Sequence, residues 1–320
     1  MAQRYWARLL SLTIGSKLKV ITNLQKGIIV KTSHIAIFFS AALSASVSWA
    51  QNPVSHQGLD ADFYPADGNT AVLLLHGTLA HNRMEIIKTI STLVSEDYGY
   101  PVLAPNLSYN QPGREGMLDC GITHTHKHFD ALNEITQWVD YLETEGFEQI
   151  IVSAHSRGGG QMSAYLADKP ASSIVGGVLI APATFDAKAQ GPNYEDRFGG
   201  SLAGLMEQAN TMAPDEIMEV PGFVYCEQAK VSAASFIDYY TPDPRRDTPT
   251  NLTQVSNIPV VVVAGSEDDV VADLPGRMET TDGLGDNIGF EMIDGADHFF
   301  RDLYADDVSL VIVDMIEALE

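Results

Sequence analysis

Positive charge is scarce in this chain. Its 320 residues carry 19 lysines and arginines against 42 aspartates and glutamates, for a formal net charge of −23. The scarcity is uneven. Residues 1–50 hold no Asp or Glu but six basic residues, Arg4, Arg8, Lys17, Lys19, Lys26 and Lys31, which leaves 13 positive charges against 42 negative in the remaining 270 residues, near −29. A surface of that sign repels phosphate backbones and anionic bilayers, which excludes nucleic acid as a partner, and solubility is its plain use. A long apolar run is missing too. The run at 35–47 has about 13 residues, where a bilayer needs roughly 20. It follows the basic stretch and precedes Ser48, Trp49 and Ala50, a small-x-small pattern that reads as a signal peptide, residues 1–50, cleaved ahead of Gln51. The region before the apolar run is long for a leader. A translation start near Val30 or Lys31 would account for it, and an uncleaved amphipathic anchor is the alternative. The expected product is residues 51–320, in the periplasm or outside the cell, with no stable membrane insertion.

Cysteine is nearly absent. Cys120 and Cys226 are the two present, and an even count in an exported protein permits one disulfide. A bridge would tie two distant segments together; two buried free thiols are the other reading, because sequence does not supply the Cα separation. Internal repeats and low-complexity segments are also lacking. At 45% hydrophobic content, the chain has enough apolar side chains for a sizeable core.

Short apolar runs at 71–75, 102–104, 150–153, 178–181, 260–264 and 290–293 alternate with helical patterns at 84–98, 129–142 and 307–319. That rhythm implies βαβ units and a mostly parallel central sheet flanked by helices, an α/β fold. About 75 residues separate the run ending at Ala181 from the one starting at Val260, more than a crossover needs. An insertion at 184–256 is expected there, with helical patterns at 202–212 and 231–240. Its natural use is a helical lid beyond the carboxyl ends of the strands.

The sequence Ile151-Val152-Ser153-Ala154-His155-Ser156-Arg157-Gly158-Gly159-Gly160 is a buried strand running into a small-x-Ser-x-small turn and a helix, the nucleophile-elbow pattern. Ala154 and Gly158 must be small so that strand and helix can approach, and the helix N-terminus favours developing negative charge beside Ser156. A serine hydroxyl needs a base within hydrogen-bond reach and a carboxylate to hold that base's tautomer. After the insertion, the strand at 260–264 leads into Gly265-Ser266-Glu267-Asp268-Asp269. The run at 290–293 leads into Asp294-Gly295-Ala296-Asp297-His298. Serine, acid, histidine is the order found in α/β hydrolases.

On these motifs, residues from about 70 to 319 resemble the α/β-hydrolase superfamily, particularly its bacterial carboxylesterase, lipase and serine-aminopeptidase-like members. The resemblance implies Ser156 as nucleophile, His298 as base and Asp268 as acid, with Glu267, Asp269 and Asp186 as alternative acids. It also likens His76-Gly77-Thr78-Leu79 to the family's oxyanion turn, which makes the amides of Thr78 and Arg157 the expected donors, Leu79 a fallback for the first, and His76 a support of the loop. No cofactor or metal is implied. The resemblance suggests ester hydrolysis, with amide or peptide hydrolysis as a second reading and a non-catalytic binding protein on the same fold as a third. A carboxylate nucleophile, as in haloalkane dehalogenases, is ruled out by Ser156. The run His124-Thr125-His126-Lys127-His128 leaves three readings open: a metal site without a recognisable fourth ligand, a pocket wall, or a solvated helix entrance.

Overall fold

The computed structural model describes residues 51–320 apart from Lys169. The leader, its apolar run and its cleavage at Ala50 lie outside the described residues.

The described chain opens with a hairpin that the apolar pattern did not signal. Strand β1 (Asn52–His56) pairs antiparallel with β2 (Leu59–Tyr64). The turn between them, Gln57-Gly58, has positive φ at both residues, the backbone twist that suits a two-residue hairpin loop. Strand β3 (Thr70–Leu75) is buried along its whole length, as expected of a strand covered on both faces. Helix α1 (Glu85–Thr92) turns Ile86, Ile87 and Ile90 inward, and a π-helical turn at Leu93–Asp97 continues it. Strand β4 (Val102–Asn106) follows, then a two-residue strand, β5 (Thr123–His124). Helix α2 (Asp130–Thr144) buries Ile135, Trp138, Val139 and Leu142. Strand β6 (Gln149–His155) enters helix α3 (Arg157–Ala167), and β7 (Ile174–Ile180) closes this half.

The connection after β7 contains helices α4 (Ala187–Phe198) and α5 (Leu202–Thr211), then strands β8 (Ile217–Phe223) and β9 (Cys226–Ser232). Helices α6 (Ala233–Tyr240) and α7 (Thr248–Leu252) follow, with a 3-10 turn at Pro244–Arg246 between them. The segment expected to be helical therefore also holds an antiparallel hairpin. The expected helix at 231–240 starts at Ala233, because Val231 and Ser232 finish β9 and Ser232 Oγ caps the helix by accepting the Ser235 amide. The last elements are β10 (Val260–Gly265), α8 (Leu274–Thr280), β11 (Ile288–Ile293) and α9 (Leu303–Glu317).

The main sheet runs β1-β2-β4-β3-β6-β7-β10-β11. Pairs from β4 onward are parallel, and β2 pairs antiparallel with β4. The core lies on both faces of its middle strands, where β3, β6, β7 and β10 are almost fully buried. A second sheet, β5-β9-β8, joins the segment before α2 to the insertion. Cys120 and Cys226 form a disulfide, with Cα atoms 5.2 Å apart, at the start of β9. Among the described residues, no helix is long and apolar enough to cross a membrane.

Candidate active site

Ser156 sits between β6 and α3 with φ 56° and ψ −123°, a conformation that non-glycine residues avoid. Such strain costs on the order of 1–3 kcal/mol and must be held by its surroundings. Here the Ser156 amide donates to the Ile180 carbonyl at 2.9 Å, while its own carbonyl accepts from Gly160 and Ala183. Gly158 has no room for a side chain, because a Cβ there would meet the His76 carbonyl oxygen. A Cβ on Gly77 would lie 3.1 Å from Ser156 Cβ. The turn after β3 and the elbow after β6 are thus in contact.

The three residues picked from separate strands come together. His298 Nε2 lies 2.9 Å from Ser156 Oγ, and its Nδ1 lies 2.8 Å from Asp268 Oδ2. The other oxygen of Asp268 accepts the amides of Val270 and Val271 at 2.8 and 3.0 Å. Burial pushes the Asp268 carboxyl up, but the bond from His298 and the two amides outweigh it, so the net position is below the ordinary carboxylate range. Glu267 and Asp269 are exposed, and Asp186 caps α4 by accepting the Lys188 amide. Of the four candidate acids, Asp268 is the one that meets His298.

The elbow between β6 and α3 and the succession of serine, acid and histidine after β6, β10 and β11 match the α/β-hydrolase pattern. The family model described as alpha/beta hydrolase fold matches residues 70–219. The chain has the α/β-hydrolase fold. Solved α/β hydrolases similar to it include Est1E from Butyrivibrio proteoclasticus, 18% identical with a TM-score of 0.55, covering 83% of this chain and 99% of that one. A monoacylglycerol lipase from Paleococcus ferrophilus is 16% identical with a TM-score of 0.56, covering 81% and 98%. An esterase from Pyrococcus furiosus is 13% identical with a TM-score of 0.54, covering 85% and 92%. No curated protein matches the sequence.

The backbone N–H groups of Thr78 and Arg157 donate to no described residue. Arg157 is the first residue of α3, where an amide lacks an intrahelical acceptor. The fallback Leu79 is engaged: its amide donates to the Tyr109 hydroxyl at 3.2 Å. His76 is buried, with Nδ1 2.9 Å from the Gly77 carbonyl and Nε2 accepting the Leu107 amide at 3.0 Å. Burial, helped by the nearby Arg114, pushes its pKa down to about 3. A neutral imidazole with both nitrogens occupied braces the loop.

One residue that sequence reasoning passed over is His155. Its Nε2 donates to the His298 carbonyl at 2.9 Å, linking the end of β6 to the loop that carries His298. Burial first, and then the closeness of His298, push its pKa down to about 4. The available signal was its place beside Ser156 at the end of a buried strand.

The histidine run is buried, so the solvated entrance is not what forms. Burial keeps each of the three imidazoles below the ordinary histidine value, to about 3 for His126. They pack among aromatic rings: His126 lies 4.9 Å from Tyr109 between centroids, and His124 lies 5.2 Å from Phe223. His126 Nδ1 is 2.9 Å from the Tyr239 hydroxyl. Among the described residues no group of three or more His, Cys, Asp or Glu is arranged to hold a metal ion. His128 borders a cavity of ≈ 560 Å³ that also meets Arg157, the residue after Ser156, as well as Ala183 and Val270 of the Asp268 loop.

Proposed function

We propose that the protein is an exported serine hydrolase that cleaves a carboxylic ester through an acyl-enzyme on Ser156. The observation that carries this reading is the unbroken hydrogen-bond series Ser156–His298–Asp268 at the end of a strained elbow. His298 Nε2 takes the hydroxyl proton as Ser156 Oγ attacks the ester carbonyl, and Asp268 holds the tautomer and stabilises the imidazolium. The oxyanion accepts the Thr78 and Arg157 amides. As the intermediate collapses, the C–O bond to the alcohol breaks and His298 returns the proton to that oxygen. Water then attacks the acyl carbonyl with His298 as base, the bond to Ser156 breaks as His298 returns the proton to Ser156 Oγ, and the acid leaves. The segment from α4 to α6 supplies much of the cavity wall, which supports its role as a lid. The Cys120–Cys226 bridge supports an oxidising compartment.

A fluorophosphonate probe tests the nucleophile, with labelling at Ser156 expected and lost in Ser156→Ala. Turnover of a short-chain 4-nitrophenyl ester should exceed that of an amino-acid 4-nitroanilide. Absence of labelling overturns the reading, and a clear preference for the anilide moves the substrate to an amide.

A further inference from the structure

Arginine is distributed unevenly in relation to its partners. Of the eight arginines from residue 51 onward, Arg83, Arg245, Arg277 and Arg301 pair with Asp62, Asp243, Asp247 and Asp297. Arg114 is held by carbonyls and by Asn106. The other three, Arg157, Arg197 and Arg246, border the same cavity, which Ala183 and Val270 also line, and none of them forms an ion pair with a described residue. In a chain with a large excess of carboxylates, three unpaired guanidinium groups around one hollow call for an explanation.

Their surroundings leave the charge uncompensated. Arg157 makes one polar side-chain contact, at 3.4 Å to His128 Nδ1, and lies over the Tyr239 ring. Arg197 is exposed and stacks on Tyr225 at 4.3 Å. Arg246 is buried; its terminal nitrogens donate to the carbonyls of Asp238 and Tyr239, while Nε has no partner. Burial first, and then the neighbouring Arg157, push the Arg246 guanidinium down to about 10, so it remains charged at neutral pH. The carboxylates at the cavity are engaged elsewhere: Asp186 accepts the Lys188 amide, and Asp273 accepts the Thr184 hydroxyl. Asp238, close to Arg246, accepts the His128 amide.

We infer that this cavity binds the carboxylate of an anionic ester, held by the guanidinium groups of Arg157, Arg197 and Arg246. A planar guanidinium matches a carboxylate with paired N–H groups, and such charge-assisted bonds are about twice as strong as neutral ones. Tyr194, Tyr225 and Tyr240 line the same hollow and offer ring surface to the stem of the acyl or alcohol portion. The inference names the substrate class of the proposed esterase and rests on that reading.

Two matched pairs of esters test it, one for each side of the scissile bond. The acyl pair is the 4-nitrophenyl hemi-ester of adipic acid against 4-nitrophenyl 6-methylheptanoate. The alcohol pair is 4-carboxyphenyl butyrate against 4-isopropylphenyl butyrate. In at least one pair, kcat/KM for the anionic member should be about tenfold higher or more. That ratio should fall severalfold in Arg197→Gln and in Arg157→Gln, and fall with added salt in the wild type. A ratio at or below one in both pairs, on enzyme that labels at Ser156, overturns the inference. Calorimetric titration of adipate and of 4-hydroxybenzoate into Ser156→Ala protein reads the anion site without turnover. Saturable binding weakened by Arg157→Gln supports the site even where hydrolysis fails. Absence of binding together with absence of a rate preference rejects it.

Discussion

Ser156 stands between two unlike surroundings. On the side of the main sheet, the groups of the hydrogen-bond series and of the turn after β3 are matched: both ring nitrogens of His298, both oxygens of Asp268 and both ring nitrogens of His76 have partners, and the unpartnered His155 Nδ1 and Ser153 Oγ lie behind them in β6. On the side of the insertion, both ring nitrogens of His124, one each of His126 and His128, and Nε of Arg246 are buried without any. A matched polar group fixes a geometry, whereas an unmatched buried one costs about 1–3 kcal/mol and keeps its bonding capacity. The sheet side therefore holds the arrangement read as chemistry, and the insertion side holds the capacity to recognise a ligand.

The sharpest way to break that contrast is to remove chemistry without disturbing the fold. Ser156→Ala should lower kcat on an aryl ester on the order of 10⁴- to 10⁶-fold. Thermal unfolding of the variant should stay within a few degrees of wild type, because the elbow is held by backbone bonds; a large loss of stability would mean that the hydroxyl supports the fold. Asp268→Asn should cost roughly 10⁴-fold, since an amide at Oδ2 favours the wrong tautomer of His298. Glu267→Gln and Asp269→Asn should leave the rate within about twofold, as exposed charges are screened. A comparable loss at either neighbour would show that Asp268 is not the acid.

The two surroundings were also unequally legible in the sequence. Ser156, Arg157 and the β6–α3 turn are consecutive residues with a local pattern, and His298 follows the last strand of the sheet, so chain order was enough to find them. The acid was ambiguous because Glu267, Asp268 and Asp269 share one turn, and only its backbone path turns the first and last outward. β1 was invisible because Asn52-Pro53-Val54-Ser55-His56 has no apolar alternation. β8 was hidden by Pro221 and Gly222, which it tolerates because it lies at the edge of the small sheet. Arg157, Arg197 and Arg246 come from three distant segments, and nothing local marks them as neighbours of one cavity.

The disulfide sharpens the comparison from the insertion side. Cys120 and Cys226 fasten the segment leading to the histidine run to β9, closing a loop with a sequence separation of 106. Replacing both by serine should cost about 2–5 kcal/mol, or roughly 5–15 °C in Tm. The loss should fall on the insertion first, with proteolysis around residues 217–232 rising while fluorophosphonate labelling of Ser156 persists. Loss of labelling at the same denaturant concentration as cleavage would mean that the two surroundings unfold together.

The smallest effect separates two histidines that look alike in burial. His155 and His126 are held neutral in the fold, with pKa values pushed down to about 4 and about 3, chiefly by burial. In the unfolded chain an imidazole titrates near 6.5. Below that pH the unfolded chain binds a proton that the fold refuses. The stability is therefore full above about pH 6.5 and falls as pH drops toward the folded value, by up to about 1.4 kcal/mol per pH unit for each imidazole. Urea melts between pH 7.5 and 4.5 should show this slope, and His155→Phe and His126→Phe should each flatten it by one proton. Activity at pH 7.5 should then divide them. His155 Nε2 holds the carbonyl of His298, so its loss should lower kcat about tenfold by loosening the base. His126 bonds Tyr239 on the insertion side, and its replacement should act on KM instead. Equal loss of kcat in both variants would mean that the insertion side positions the base as tightly as the sheet side does.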